Sequence, residues 1–405
     1  MNRTERQAEC LKNWLRAKGK GTIVAATGFG KTRVALNTIM KFLEINDRMS
    51  VLIVVPTEVL KDQWLDELIE RDIVQNCRVE IINTVIKNDW TCDLLIQDEC
   101  HLYAADTFKQ VFEKVTYKFI MCLTGTLERL DGKEEIIKHY APICDQITIK
   151  EAEENGWVSP IKEYLVMLDV DLTEYERLNQ AFNGYFSYFG WDFNVAMRCA
   201  TNAVYRNKFA KYFKKSIKEV SAMAFGWIST MKKRKEFVMS HPKKLEVCRK
   251  ILEARKDKKC ITFSATIKYS EQIGTGYVLH SKQSKKKNAE ILKAFNDAES
   301  GVLNTNKAAD QGVDIKGLSV GIILSTDSSK IRKGQRTGRV IRFEPGKTAE
   351  LFTLVIRGTQ EVGWANNSAT RNFITINEEQ LDRVLKGEEV KTRQREIVTT
   401  YKYRY

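Results

Sequence analysis

Two arginines, Arg339 and Arg342, stand three residues apart in the segment QRTGRVIR, beside Gln335 and Gly338. Residues at that spacing share one face of a helix, so both guanidiniums can address the same anion. In a phosphoryl transfer, charge spreads over the transferring group late in the reaction, and donors of this type stabilise it there. Such a site also needs a phosphate cradle, a metal ligand and an acid that positions water.

A cradle is present near the start of the chain. The apolar run 21–27 leads into Thr27, Gly28, Phe29, Gly30, Lys31 and Thr32. Glycines let backbone amides approach phosphates, a lysine placed here reaches the terminal phosphates of a nucleotide, and the following hydroxyl binds magnesium. Ala25 stands where the generic G-x-x-x-x-G-K pattern has its first glycine, so the match is partial. A plain glycine turn between strand and helix is the alternative. The acids come 67 residues after Lys31, where Asp98, Glu99, Cys100 and His101 end the apolar run DLLIQ. An Asp there can hold magnesium and the next carboxylate can orient or deprotonate the attacking water. His101, taken alone, reads equally as a packed core histidine.

These groups need strands to hold them. The segments 21–27, 50–57, 79–84, 92–99 and 118–126 are short apolar runs between helical patterns, which predicts a doubly wound parallel sheet with its site at the carboxyl ends of the strands. A second series occupies 259–266, 276–281, 300–305, 319–326 and 350–356. The expected organisation is a first α/β lobe over 1–150, a linker and helical insertion over 151–242, a second lobe over 243–357 and an extension over 358–405. The insertion is distinctive: 14 Lys/Arg face 5 Asp/Glu between Thr173 and Leu245, with 15 of the chain's 39 aromatic residues. Its lysines and aromatics suit contact with phosphates and bases, and they suit equally a small helical subdomain with an aromatic core.

The 405 residues carry a net charge of +14, which makes polyanions natural partners. No apolar run reaches the length of a membrane span and the first residues lack an apolar signal region, so the expected setting is the cytoplasm, without membrane contact. The nine cysteines form no C-x-x-C pair, which argues against a zinc or iron–sulfur site and for reduced thiols.

With these motifs in this order, the chain resembles the superfamily 2 helicases and translocases of the DExH-box type, in which two RecA-like lobes bind ATP between them. The resemblance covers roughly residues 1–360. Ala25–Thr32 looks like motif I, which tolerates alanine at its first position; Asp98–His101 is similar to motif II; Thr124–Thr126 to motif III; 304–314 to motif V; and Gln335–Arg342 to motif VI. The resemblance implies an ATP–Mg2+ site built from Thr27, Gly28, Phe29, Gly30, Lys31, Thr32, Asp98 and Glu99. Thr32 and Asp98 would hold the metal. Gln335, Arg339 and Arg342 would complete the site from the second lobe, with Gly312 and Asp314 lining the cleft. It implies nucleic-acid contacts at Thr57, Thr84, Thr266, His280 and Thr305, the threonines having helix capping as their alternative use. Gln7, after Arg3, occupies about the place of an adenine-reading glutamine, with a solvated N-terminal helix as the alternative. The form of motif VI, the GWVSP segment at 156–160 and the segment 358–368 look most like phage-type recombination and branch-migration DNA helicases. That likeness implies a DNA motor acting on single-stranded or branched DNA in recombination, repair or replication, a monomer on its substrate with replication or recombination proteins as partners, in the host cytoplasm if viral. An RNA helicase and a non-catalytic nucleic-acid-binding protein are the alternatives.

Overall fold

The computed structural model describes residues 1–127, 132–306, 315–340, 344, 346–369 and 371–390. Two sheets, parallel throughout, organise it. In the first, β1 (Lys20–Ala25), β2 (Val51–Val55), β3 (Cys77–Ile81), β4 (Trp90–Asp98), β5 (Val115–Thr124) and β6 (Ile143–Ile147) lie in the order β3-β2-β4-β5-β1-β6. All five residues of β2 are buried, as expected when helices cover both faces of a parallel sheet. The order places the carboxyl ends of β1, β4 and β5 side by side, and it is there that the sequence puts its lysine, its two acids and Thr124.

The second sheet has the order β13-β7-β12-β11-β8-β10-β9 and corrects the expected boundaries. Its members are β7 (Ile161–Leu168), β8 (Lys259–Phe263), β9 (Tyr277–Leu279), β10 (Gly301–Thr305), β11 (Leu318–Ile323), β12 (Ala349–Ile356) and β13 (Ile374–Ile376). Thus β7, expected in the linker, pairs along its whole length with β12, and β13, expected in the extension, pairs with β7. The second lobe therefore begins near residue 160 and reaches past residue 376, with the helical insertion looped out between β7 and β8. The extension is further secured by Glu361, fully buried with Lys244 at 2.5 Å and accepting from the Ile356 amide. A buried charge is tolerated only with such partners.

Four helices, Thr173–Ser187, Phe193–Thr201, Ala203–Tyr212 and Ile217–Met239, form the insertion. Their aromatics make a core of their own around the fully buried Trp227, with the rings of Phe182, Phe186 and Phe193 at 6.1, 5.8 and 5.5 Å from it. The packing use of most of these aromatics is thereby established. Among the described residues no helix is long and apolar enough to cross a membrane.

Candidate active site

The cradle turns on two left-handed glycines, Gly28 at φ 92° and Gly30 at φ 99°, the latter capping helix Lys31–Ile45. Glycine adopts this geometry without the Cβ clash that other residues suffer, and it leaves the first amides of the helix facing the loop, a natural anion site. The N-terminal helix holds the loop from behind. Arg3 donates through Nε to the Phe29 carbonyl at 2.8 Å and through a terminal nitrogen to the Gly28 carbonyl at 2.7 Å; Gln7 Nε2 donates to the Phe29 carbonyl at 2.9 Å. Gln7 thus engages the cradle's backbone. The Phe29 ring is fully buried, edge-on to Trp157 at 5.5 Å, which leaves its backbone to meet a nucleotide.

Lys31 Nζ lies 3.3 Å from the Ala25 carbonyl. Opposite it, Asp98 is nearly fully buried at the end of β4 and accepts from Trp64 Nε1 at 3.0 Å and from the Glu99 amide at 2.9 Å. Burial, followed by the charge of Glu99, raises the Asp98 carboxyl from 3.8 to about 6, while Trp64 and Lys31 pull it the other way. Asp98, with the Thr32 hydroxyl at the start of the helix, could hold magnesium, which takes few protein ligands and shares the rest with phosphates. Protons then compete with the metal. Turnover is expected to fall as pH drops through about 6, with recovery at higher Mg2+, which pH profiles at two metal concentrations would check; a profile indifferent to Mg2+ would contradict it. Because the folded-state value is the raised one, the carboxyl stabilises the fold below its ordinary value of 3.8, and that stability is lost as pH rises through about 6.

Glu99 takes a left-handed backbone, φ 50°, uncommon for a non-glycine residue and frequent at functional turns. Its Oε2 lies 3.3 Å from Nδ1 of the buried His101, and the same nitrogen lies 3.0 Å from Thr124 Oγ1. Thr124 Oγ1 donates to the Thr126 carbonyl at 2.7 Å, so in the contact with Thr124 the proton belongs to His101 Nδ1. His101 is buried in the core and also joins Glu99 to Thr124.

Thr27 is gripped from both sides. A Cβ on Gly125 would lie 3.0 Å from its hydroxyl, and a Cβ on Gly338 would lie 2.1 Å from its Cβ. Helix Lys330–Val340 of the second lobe is thus seated directly on the cradle of the first, and Arg339, the next residue of that helix, is buried. A cavity of about 440 Å³ opens between the lobes, lined by Thr27, Glu99, His101, Gly125, Thr126 and Gln335. Gln335 Nε2 is buried without a hydrogen-bond partner among the described residues. Arg336 donates to the Ser325 carbonyl at 3.1 Å and lies over the Phe263 ring. Gly312, Asp314 and Arg342 lie outside the described residues.

The expected nucleic-acid contacts divide. Thr57 and Thr266 cap helices by accepting from the Leu60 and Tyr269 amides, which leaves each hydroxyl proton available to a phosphate. Thr84 is exposed on the single turn Ile82–Val85, and His280 is half-buried after β9. Thr305 is a correction: fully buried, it donates to the Thr262 carbonyl at 2.9 Å and does not face a strand. Sequence reasoning missed Trp64 and Arg3, whose roles appear only through contacts distant in the chain.

Comparison with known proteins places the two lobes separately. Residues 1–90 match the family model "Type III restriction enzyme, res subunit", and residues 243–344 match "Helicase conserved C-terminal domain". The chain is 28% identical over 388 residues to the DNA 3'-5' translocase XPB2 of Sulfurisphaera tokodaii, a match covering 88% of this chain and 82% of that protein. It is 24% identical over 352 residues to L396 of Acanthamoeba polyphaga mimivirus, a candidate ATP-dependent RNA helicase by name, covering 80% of this chain and 58% of that protein. In fold it is similar to S. cerevisiae Dbp5 bound to RNA and ADP BeF3, with a TM-score of 0.60 and 14% identity over 94% of this chain and 91% of that one.

Proposed function

We propose that the chain, a superfamily 2 helicase, spends ATP to move along DNA and to separate or remodel strands at branched sites such as recombination intermediates. The observation that carries the motor reading is the seat of Gly338 on Thr27: the helix bearing Arg339 meets the cradle only when the lobes are together, so the site is complete in one arrangement and incomplete in another. Lys31 and the cradle amides bind the phosphates. Glu99 accepts a proton from water, whose oxygen bonds to the γ-phosphorus as the bond to the β-phosphate oxygen breaks, and Arg339 stabilises the charge that develops. Magnesium held by Thr32 and Asp98 would neutralise the phosphates. His101, which touches both Glu99 and Thr124, couples the reaction to the lobe interface. Gln335, with its unsatisfied amide in the cavity wall, faces the γ-phosphate or the water.

DNA is supported by the likeness to the DNA 3'-5' translocase of Sulfurisphaera tokodaii, which runs through most of both chains. With ATP and Mg2+, the chain is expected to displace a labelled strand from forked DNA faster than from a matched RNA fork, and Lys31→Ala to displace neither. Displacement of RNA alone would assign the chain to RNA.

A further inference from the structure

The longest helix of the insertion, Ile217–Met239, is anchored at its carboxyl end, where Val238 is buried beside Tyr175 and Ile356 and Ser325 Oγ donates to the Met239 carbonyl at 2.7 Å. At about 1.5 Å per residue, its amino end stands roughly 30 Å from that anchor. There the chain turns, and Tyr212, Phe213 and Ile217 are 80%, 53% and 55% exposed. The other aromatics of the insertion mostly fill its core, so large rings left at its far end point to a partner. Tyr212 and Phe213 meet edge to face at 4.9 Å. Around them Lys211, Lys214 and Lys218 are exposed, and among the described residues no acid lies within ion-pair distance of any of the three; Glu219 engages Lys215 instead.

The exposed face continues down the helix through Lys218, Ala222, Phe225, Ser229 and Lys232, spaced by four and three residues and so on one stripe. The small side chains at 222 and 229 permit close approach. Lys218 to Lys232 spans about 21 Å of helix, roughly six 3.4 Å steps of a nucleic-acid strand. From 203 to 239, ten Lys/Arg face two Asp/Glu, a balance that favours a polyanion over a protein surface with a mixed rim.

We propose that this turn and stripe are a second nucleic-acid surface, on which the lysines hold duplex phosphates and Tyr212 stacks on the base exposed where the duplex opens. This rests on the reading of the chain as a nucleic-acid motor and assigns the insertion the task of engaging the junction. The test is binding of the full chain, without nucleotide, to forked and to blunt duplex DNA and to a matched RNA fork by fluorescence anisotropy across a salt series. The triple variant Lys211→Ala/Lys214→Ala/Lys218→Ala is expected to weaken binding to every form and to flatten the slope of log K against log[salt] by about 2 to 3, at about 0.9 per lost phosphate contact. Tyr212→Ala should weaken binding to the forks about 5- to 100-fold more than to the blunt duplex, with Tyr212→Trp retaining it. An unchanged salt slope in the triple variant, or equal loss on fork and blunt duplex for Tyr212→Ala, would overturn the assignment. So would capture by phosphatidylserine vesicles that depends on these residues while nucleic-acid binding does not. If the wild-type chain binds no nucleic acid at any salt concentration, the motor reading itself fails, a result distinguishable from failure of this surface alone.

Discussion

Arg339→Ala is expected to bind ATP and to hydrolyse it about 10³–10⁵-fold more slowly, the usual consequence of removing an arginine that stabilises the transferring phosphoryl group. Arg339 is buried on helix Lys330–Val340, one residue beyond the glycine that touches the cradle. Its charge matters most when the γ-phosphorus is between bonds, so the loss belongs in kcat, with nucleotide affinity changed much less. Single-turnover hydrolysis alongside equilibrium binding of a fluorescent ATP analogue separates the two. A variant with near-normal turnover would remove Arg339 from the reaction. Arg339→Lys is expected to recover little, because an ammonium does not reproduce the planar fork of the guanidinium.

Gly338→Ala is expected to lower kcat by at least about 100-fold while the protein stays folded. The added methyl would sit 2.1 Å from Thr27 Cβ and 2.4 Å from its Cγ2. Thr27 Cβ is fixed to the backbone of the cradle and cannot rotate away, so relief must come from the lobes moving apart. A displacement of about 1 Å at a reacting centre costs on the order of 10²-fold. The collision lies between lobes and outside either core, so the melting temperature should hold within a few degrees. Replacing Thr27 with glycine removes the opposing atoms, and the double variant should regain part of the lost rate; Thr27→Ala, which keeps Cβ, should not. Wild-type turnover by Gly338→Ala would mean that this contact is no part of the working arrangement.

Much of this site was legible in the sequence, because the fold places chemistry where apolar runs stop. Lys31, Asp98, Glu99 and Thr124 each follow or end a buried strand of the first sheet, and adjacency at the carboxyl edge follows from parallel pairing. The same rule failed for Thr305. It also ends a strand, but its hydroxyl is turned onto the Thr262 carbonyl of the neighbouring strand, and which way a terminal side chain turns is set by pairing register. The linker was misjudged at β7, whose run of buried residues from Glu163 to Leu168 was a readable strand signal. By contrast β13 has three residues and β6 mixes exposed with buried positions, and such strands are recognisable only from their partners. The clamp of Arg3 and Gln7 on the cradle carries no local pattern that would separate it from an ordinary solvated helix.

Coupling of ATP turnover to nucleic acid, and to DNA in particular, is expected of this chain. It is tested most directly by ATP hydrolysis measured with single-stranded, duplex, forked and four-way DNA and with RNA of matched length, for the wild-type chain and Lys31→Ala. Stimulation by DNA is expected, greatest on forked or four-way forms, with none in Lys31→Ala. Stimulation by RNA alone, or turnover that no nucleic acid alters, would contradict it.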